Sequence, residues 1–289
     1  MVTDVTAVDP LTHTDVRHVA LGAAHRAGVS VRLARTNHEI RLVSELLATV
    51  WGTSFAASPG PKNVLTSIAD TGGYVAGAWA DGSLVGASFG VTYLEGSEPC
   101  LRSQVTGVLQ PRRGVGEAIK RHQQCWALEQ GMRRITWTFD PLVRRNAHFN
   151  LDRLGARIVR FVPDFYGPLD DGLNGTDATD RCVVSWTASD LTEQPSSCHS
   201  SELLRSGHVA ALTQDAVGGP VLHTIDSPVA MLVATPSDIV ELRQSDPASA
   251  LAWRRAVRAA FSMAFDAGLV ADLITGDGHY RFRRDEDVR

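Results

Sequence analysis

The chain has 289 residues, which at about 100–200 residues per domain allows one large domain or two small ones. Hydrophobic residues make up 44 % of it and charged residues 21 %, an ordinary globular composition that argues against a disordered chain. With 28 basic and 32 acidic residues the formal net charge is −4, whereas a general nucleic-acid binder normally shows a basic excess. We therefore expect no nucleic-acid partner, while a local basic site for an anionic ligand stays compatible with this balance.

The cysteines, Cys100, Cys125, Cys182 and Cys198, are scattered, and none forms a CxxC pair. This spacing favours neither a zinc site nor a redox dithiol, so we expect no metal and ordinary reduced thiols in a cytoplasmic protein. The first 28 residues lack the basic and apolar regions of a secretory signal, and no run approaches 18 apolar residues. The sequence thus predicts neither export nor a membrane partner.

Up to residue 187, apolar periodicity and turn residues predict short alternating helices and strands. Asp81-Gly82 separates two apolar runs and is a strong signal for a hairpin turn. In chain order the predicted elements are helix 15–27, strand 29–35, helices 38–51 and 61–69, strands 73–80, 83–93 and 101–109, helix 114–130, strand 134–139, helix 144–154, and strands 156–162 and 182–186. From residue 29 this order predicts an α/β (α+β) fold with a mixed, mostly antiparallel sheet flanked by helices.

The C-terminal third has a different composition. Residues 188–220 are rich in Ser, Thr, Gln, Gly and His and are predicted to be a linker or mobile loop. Structure is predicted to resume with strand 230–234, helices 237–243 and 247–267, and a closing hairpin of strands 269–274 and 280–282. The predicted domains are an N-terminal extension (1–28), a main domain (29–187), the linker (188–220) and a C-terminal α/β extension (221–289).

The long C-terminal helix carries two kinds of side chain. Its aromatic residues, Trp253, Phe261 and Phe265, have the spacing of a core face. Its arginines, Arg254, Arg255 and Arg258, are predicted to form a solvated face, and one of them could instead pair with a substrate carboxylate.

The segment that carries chemistry is 105–120, with the sequence VTGVLQPRRGVGEAIK. A predicted strand leads into a glycine-containing turn that opens a helix, whose first N–H groups and positive dipole end suit a pyrophosphate. A Rossmann fingerprint would need a third glycine after Gly114 and Gly116, and a P-loop would need Gly-Lys-Ser/Thr; both are missing. A plain tight turn is the alternative at this point.

The pattern [Q/R]-x-x-G-x-[G/A] fits this turn, and the helix NAHFNLDRLGA follows downstream. Together with the strand order, these residues resemble the GNAT superfamily of acyl-CoA-dependent N-acyltransferases over about residues 31–186. The resemblance implies a GNAT-like fold, with the C-terminal segment as an extension. It also implies that the turn binds the coenzyme A pyrophosphate, the preceding strand binds the pantetheine arm, and the downstream helix lies beside it. The cofactor residues so implied are Val108, Leu109, Arg113, Gly114, Val115, Gly116, Glu117, Ala118 and Asn146. Asn146 has an alternative role as a helix cap.

A narrower resemblance concerns the segments VLQPRRGVGEAIKRHQ and VPDFYGPLDDGLN together with the C-terminal helix. These look like a bacterial subgroup of acyltransferases with a similar tail, some of whose members are linked with N-acylation of amino acids, including N-succinylation. Many GNAT enzymes use a Tyr, four residues before the glycine that ends this helix, to protonate the leaving thiolate. Leu151 occupies that position here.

Two residues are therefore candidates for proton transfer. Tyr166 could replace the missing acid, since a phenol is able to protonate a thiolate, or it could simply pack a loop. Asp140 follows a predicted strand and could accept the amine proton, or form an Asp-Pro turn.

The resemblance implies an enzyme with acetyl-CoA or another acyl-CoA, such as succinyl-CoA, as co-substrate and a small-molecule amine as acceptor. The C-terminal extension is expected to pack on the sheet and to help form the acceptor pocket or a homodimer contact. Three alternatives stay open: a non-catalytic coenzyme A sensor, acyl transfer to oxygen, and decarboxylation of a thioester.

Overall fold

The computed structural model describes residues 10–109, 113–167, 178–191 and 198–285. These residues form two compact units. The first contains residues 10–109, 113–137 and 187–191, and the second contains 138–167, 178–186 and 198–285. This division lies after Trp137, inside a strand. The predicted domain limits at residues 28, 187 and 220 stay a prediction.

The first unit contains a sheet with helices packed against it. Its elements are α1 (Pro10–Arg26), β1 (Ser30–Leu33), α2 (Asn37–Trp51), a 3-10 turn (Phe55–Ala57), α3 (Lys62–Asp70), β2 (Tyr74–Ala80), β3 (Ser83–Glu95), β4 (Glu98–Val108), α4 (Val115–Glu129) and the start of β5 (Arg134–Phe139). The strand order is β1-β2-β3-β4-β5. Neighbours from β1 to β4 are antiparallel, whereas β4 and β5 are parallel.

Local sequence explains why α2 forms where it does. Thr36 accepts a hydrogen bond from the Glu39 N–H, and the Glu39 carboxylate accepts one from the Thr36 N–H, a complete capping box. From there Ile40, Val43 and Leu47 recur at helical spacing and are buried against the sheet. A separate apolar cluster, built on α4, contains Val115 and Ile119.

The second unit is a sheet built around the long C-terminal helix. Its elements are the end of β5, α5 (Arg144–Ala147), a π-helical turn (His148–Arg153), β6 (Arg157–Val162), β7 (Arg181–Thr187), α6 (Ser200–Arg205), β8 (Val209–Gln214), β9 (Pro220–Leu222), β10 (Ala230–Ala234), α7 (Ile239–Ser245), α8 (Pro247–Asp266), β11 (Leu269–Ile274) and β12 (His279–Arg284). The strand order is β7-β6-β11-β12-β10-β8-β9. Neighbouring strands are antiparallel, except that β10 and β8 are parallel. Phe261 of α8 packs edge-on against Tyr280 and Phe282 of β12 and anchors the core.

The predicted fold class is confirmed, because the sheets are mixed, mostly antiparallel and flanked by helices. Three local predictions differ from the structure. The helix predicted over 144–154 is one α-turn followed by the π-helical turn. The segment predicted as a linker contains α6 and β8, since its short apolar runs find partners in the second unit; residues 192–197 of it lie outside the described residues. Arg254, predicted to be solvated, is 2 % exposed.

None of the described helices combines the length and apolar character needed to cross a membrane. Within the same residues, the His, Cys, Asp and Glu side chains form no group of three or more that could hold a metal ion.

Candidate functional site

The start of α4 is shaped by a glycine. Gly114 precedes the helix with a φ of 90° in the left-handed region, where other residues are strained. A Cβ at this position would also lie 3.3 Å from the Cβ of Ala27. No described side chain caps the helix. Its first N–H groups therefore face outward from a positive dipole end, which is the arrangement that binds phosphate.

The other predicted pyrophosphate residues surround this helix start. Arg113 and Gly114 are exposed, and Gly116 lies in the first turn of α4. Val115 and Ala118 are buried and fix the helix on the sheet, so they can offer only backbone groups to a ligand. The Glu117 carboxylate lies 3.8 Å from Arg26. Residues 110–112, the first part of the predicted turn, lie outside the described residues.

The strand before this helix loses its partner halfway along. β5 pairs with β4 only at Cys100, Leu101 and Arg102. β4 then continues to Val108, and no other described strand takes up this edge. The edge from residue 103 to residue 108 is about 17 Å long at 3.3 Å per residue.

A bulge lies where β4 leaves β5. Phe89 of β3 faces Val105 and Gly90 faces Ser103, so Gln104 is an extra residue in β4. Such a bulge bends the strand and increases its twist. This bend accounts for the separation of the two parallel strands after Arg102.

Val108 and Leu109 differ in what they can offer a pantetheine arm. The Leu109 N–H already donates to the Val85 carbonyl at 2.9 Å. Successive residues of a strand direct their backbone groups to opposite edges, so those of Val108 point to the edge that β5 leaves open. The geometry therefore favours Val108 over the Leu109 N–H for the predicted backbone contacts.

A buried lysine lies at the point where β4 and β5 part. The Lys120 Nζ lies 2.9 Å from the Ser103 Oγ of β4 and 3.3 Å from the Gln123 Oε1 of α4. It also lies 3.9 Å from the centre of the Trp137 ring of β5, a cation–π contact. Burial lowers the pKa of Lys120 to about 7. Sequence reasoning missed this residue, because a lysine inside a predicted helix normally indicates a solvated face.

The predicted residues of the second unit begin with the helix after β5. Asn146 is exposed on α5, and its N–H donates to the Val143 carbonyl. Leu151 is buried in the π-helical turn that follows, so at this position the chain offers an apolar side chain and no proton. π-helical turns occur often at functional sites.

Tyr166 lies in the loop after β6, and the residue is 48 % exposed. Its hydroxyl lies 3.1 Å from the Thr138 Oγ1, and the Arg181 guanidinium lies over the ring at 5.4 Å. Its N–H donates to the Thr179 hydroxyl at 3.0 Å, which fixes the loop. The phenol is thus ordered and open to solvent.

Asp140 is 7 % exposed, and its carboxylate accepts hydrogen bonds from arginines. Arg254 donates to both oxygens at 2.8 and 2.7 Å, Arg243 donates to one at 2.8 Å, and the Leu142 N–H donates at 3.0 Å. Burial alone would raise the pKa of Asp140, but the bonds and charges of Arg254 and Arg243 outweigh it and hold the pKa below its usual value. A carboxylate held in this way is a weak base, so the ion pairs favour a positioning role over the predicted proton-accepting one.

The structure thus gathers Val108, Leu109 and residues 113–118 at one end of the first unit, next to the open edge of β4. Asp140, Asn146 and Tyr166 belong to the second unit. Sequence reasoning also missed Arg243 and Arg254, whose carboxylate partner lies more than 100 residues away along the chain.

The chain is similar to solved acetyltransferases of the GNAT family. An aminoglycoside 6'-acetyltransferase type Ii shares 16 % identity over 57 % of this chain and 99 % of its own, with a TM-score of 0.44. A GNAT acetyltransferase from Streptococcus pneumoniae shares 15 % over 55 % and 98 %, with a TM-score of 0.43. The ribosomal-protein-S18-alanine N-acetyltransferase from Escherichia coli shares 14 % over 58 % and 99 %, with a TM-score of 0.43.

No family model and no curated protein matches the chain.

Proposed function

We propose that this protein is an acyl-CoA-dependent N-acyltransferase. It transfers an acetyl or succinyl group to the amino group of a small molecule such as an amino acid. One observation carries the proposal: the half-paired strand β4 is followed by the glycine-opened start of α4. An open strand edge binds an extended amide chain through backbone hydrogen bonds, and a helix start binds phosphate. Coenzyme A carries both an amide-containing arm and a pyrophosphate.

Different groups of the protein bind different parts of coenzyme A. The N–H groups at the start of α4 and the Arg113 guanidinium hold the pyrophosphate. The backbone groups of Val108 hold the pantetheine amides along the open edge. Asn146 on α5 is the further cofactor residue that the resemblance implies. Both phosphate contacts depend on Gly114, because a side chain there would strain the turn that directs them.

The reaction is a direct transfer that needs no covalent enzyme intermediate. The unprotonated amine attacks the thioester carbonyl, and a backbone N–H of β4 stabilises the oxyanion that forms. The attacking nitrogen gives up its extra proton to Asp140 or to water, the C–S bond breaks, and coenzyme A leaves as a thiolate. Much of the rate comes from holding the amine against the thioester.

Tyr166 is the proposed donor of the proton that the thiolate takes up. Its phenol is ordered by Thr138 and exposed, whereas Leu151 cannot donate. A Tyr166→Phe change should then lower kcat by about 10²–10⁴-fold, the usual contribution of a general acid.

Asp140→Asn tests whether Asp140 acts as the base. If Asp140 accepts the amine proton, the variant loses the acidic limb of the pH profile of kcat/KM. An unchanged profile would leave Asp140 as a structural anchor for Arg254.

A second candidate function is a coenzyme A sensor without turnover. The observation that favours it is Leu151, an apolar side chain where many GNAT enzymes carry their acid. Such a protein binds coenzyme A and forms no product, and substitution of Tyr166 has no effect on its binding.

The deciding experiment combines mass spectrometry with thermal shift. The protein is incubated with acetyl-, succinyl- and malonyl-CoA and a pool of amino acids and amines. We expect an acyl-amine product that disappears in Arg113→Glu, while Arg205→Glu, the same charge change on an exposed arginine of α6, keeps it. Stabilisation by coenzyme A without product supports the sensor, and an ester or carbon dioxide as product indicates oxygen transfer or decarboxylation. If no coenzyme A species stabilises the protein, the proposal is wrong.

A further inference from the structure

Lys120 is unusual in this chain both by residue type and by place. Of the 28 basic residues only two are lysines, Lys62 and Lys120. Lys120 is 4 % exposed, and its ammonium lies between Ser103 and Trp137, where β4 and β5 stop pairing. It is six residues beyond Gly114, or about 9 Å along the helix, so it is separate from the phosphate-binding start of α4.

The charge of Lys120 is not balanced by the residues around it. Its contacts are a hydroxyl, an amide oxygen and an aromatic face, and the described residues supply no carboxylate in an ion pair with it. Taking an ammonium out of water costs several kcal/mol when no anion compensates it. A ligand that brings an anion to this place would recover that cost.

A second polar group at the same place also lacks a partner. Gln123 is fully buried, and its Oε1 accepts from Lys120. Its Nε2 has no hydrogen-bond acceptor among the described residues, although an unmet buried donor costs about 1–3 kcal/mol. Lys120 and Gln123 therefore present an ammonium and an amide donor from one face of α4. A carboxylate, with two acceptor oxygens, matches this pair.

The position of Lys120 and Gln123 along β4 indicates which part of a ligand would contact them. The open edge runs from Ser103 to Val108, and the phosphate site lies beyond the Val108 end. A pantetheine arm that starts at the phosphate site runs toward Ser103, so its acyl end reaches the Ser103 end of the edge. Resting on the proposed function, we infer that Lys120 and Gln123 select acyl-CoA substrates whose acyl group ends in a carboxylate.

The test compares acyl groups of equal length with and without the carboxylate. Succinyl-CoA and butyryl-CoA both carry four-carbon acyl groups, and their binding can be measured without an amine acceptor. We expect wild-type protein to bind succinyl-CoA at least tenfold more tightly than butyryl-CoA. Lys120→Met should remove this preference and leave the affinity for butyryl-CoA unchanged, whereas Lys62→Met should keep it.

A second variant covers the case in which Lys120→Met fails to fold. Gln123→Glu keeps the lysine and gives it an internal carboxylate, so it should lose the preference for succinyl-CoA while still binding butyryl-CoA. With only two lysines, ¹³C-lysine NMR gives a direct readout, assigned with Lys62→Met. At pH 8, succinyl-CoA should move the Lys120 signal toward the protonated form, and butyryl-CoA should not.

The outcomes separate the two proposals. Equal binding of both thioesters, or a preference that survives in Lys120→Met and Gln123→Glu, would overturn the carboxylate selection and leave the transferase proposal standing. Binding of neither thioester would overturn both.

Discussion

Among the titratable side chains of β4 and α4, Lys120 has the most strongly shifted pKa. Its ammonium is removed from water, and only neutral groups have replaced its hydration. The unfolded chain holds the proton of a lysine up to about pH 10.4, whereas the folded chain releases it near pH 7. Folding therefore releases a proton between these values, and the unfolded state binds more protons there. The contribution of Lys120 to the free energy of unfolding therefore rises as the pH rises from about 7 to about 10.4.

This pH dependence predicts a difference in stability between wild-type protein and Lys120→Met. Between pH 7.5 and 9, the free energy of unfolding of wild-type protein should rise relative to that of Lys120→Met by up to about 1.4 kcal/mol per pH unit. Urea unfolding of both proteins at several pH values measures the difference. Lys62→Met serves as the control and should run parallel to wild type. A difference between wild type and Lys120→Met that stays constant with pH would show that the lysine remains charged when buried.

At the element scale, α4 is defined by its two ends, each of which has a glycine with positive φ. Gly114 precedes the helix with a φ of 90°, and Gly131 follows it with a φ of 73°. A Cβ on Gly131 would touch nothing within 4 Å, whereas one on Gly114 would meet Ala27. The two positions share the backbone strain and differ in their surroundings, so each is the natural control for the other.

Alanine substitutions at Gly114 and Gly131 separate an effect on helix stability from an effect on ligand binding. Gly114→Ala and Gly131→Ala should each lower stability by about 1–2 kcal/mol, the cost of a left-handed conformation. Only Gly114→Ala should also weaken coenzyme A binding, because it alone shifts the N–H groups at the helix start. Calorimetric titration with coenzyme A measures this. Equal losses of affinity in both variants would show that helix stability, and not the phosphate site, is affected.

Sequence reasoning reached α4 and the strand before it because their signals are local. Alternating residues predicted the strand, and Gly114 and Gly116 predicted the turn. The bulge at Gln104 and the π-helical turn at residues 148–153 were not predictable in the same way. Both depend on how a strand or helix fits its neighbours. The same holds for Arg254, whose partner Asp140 is distant in sequence.

At the scale of the whole molecule, each unit has its own core, and the second unit also has buried ion pairs. Arg254 and Arg258, one turn apart on α8, bind the carboxylates of Asp140 and Asp180. Asp140 and Asp180 are both buried. Loss of one partner from such a pair leaves a charge without compensation, which costs about 3–5 kcal/mol.

The third prediction is that Arg254→Met destabilises the second unit selectively. Hydrogen exchange should speed up in β11 and β12, while β2 and β3 of the first unit keep their protection. Arg255→Met, one residue along the same helix, is the matched control and should change neither. Equal acceleration in both units would mean that they unfold as one cooperative body.

The extra residue in β4 also changes the parity of the strand. Ser103 and Val108 are five positions apart, and in a regular strand an odd separation places two side chains on opposite faces. Here both meet α4: Ser103 bonds to Lys120, and Val108 packs in the cluster of Val115 and Ile119. Insertion of Gln104 lets one helix contact both ends of the open edge, with its start at the proposed phosphate site and its second turn at the proposed acyl site. Removing that single residue would restore regular alternation and turn one end of the edge away from its helix.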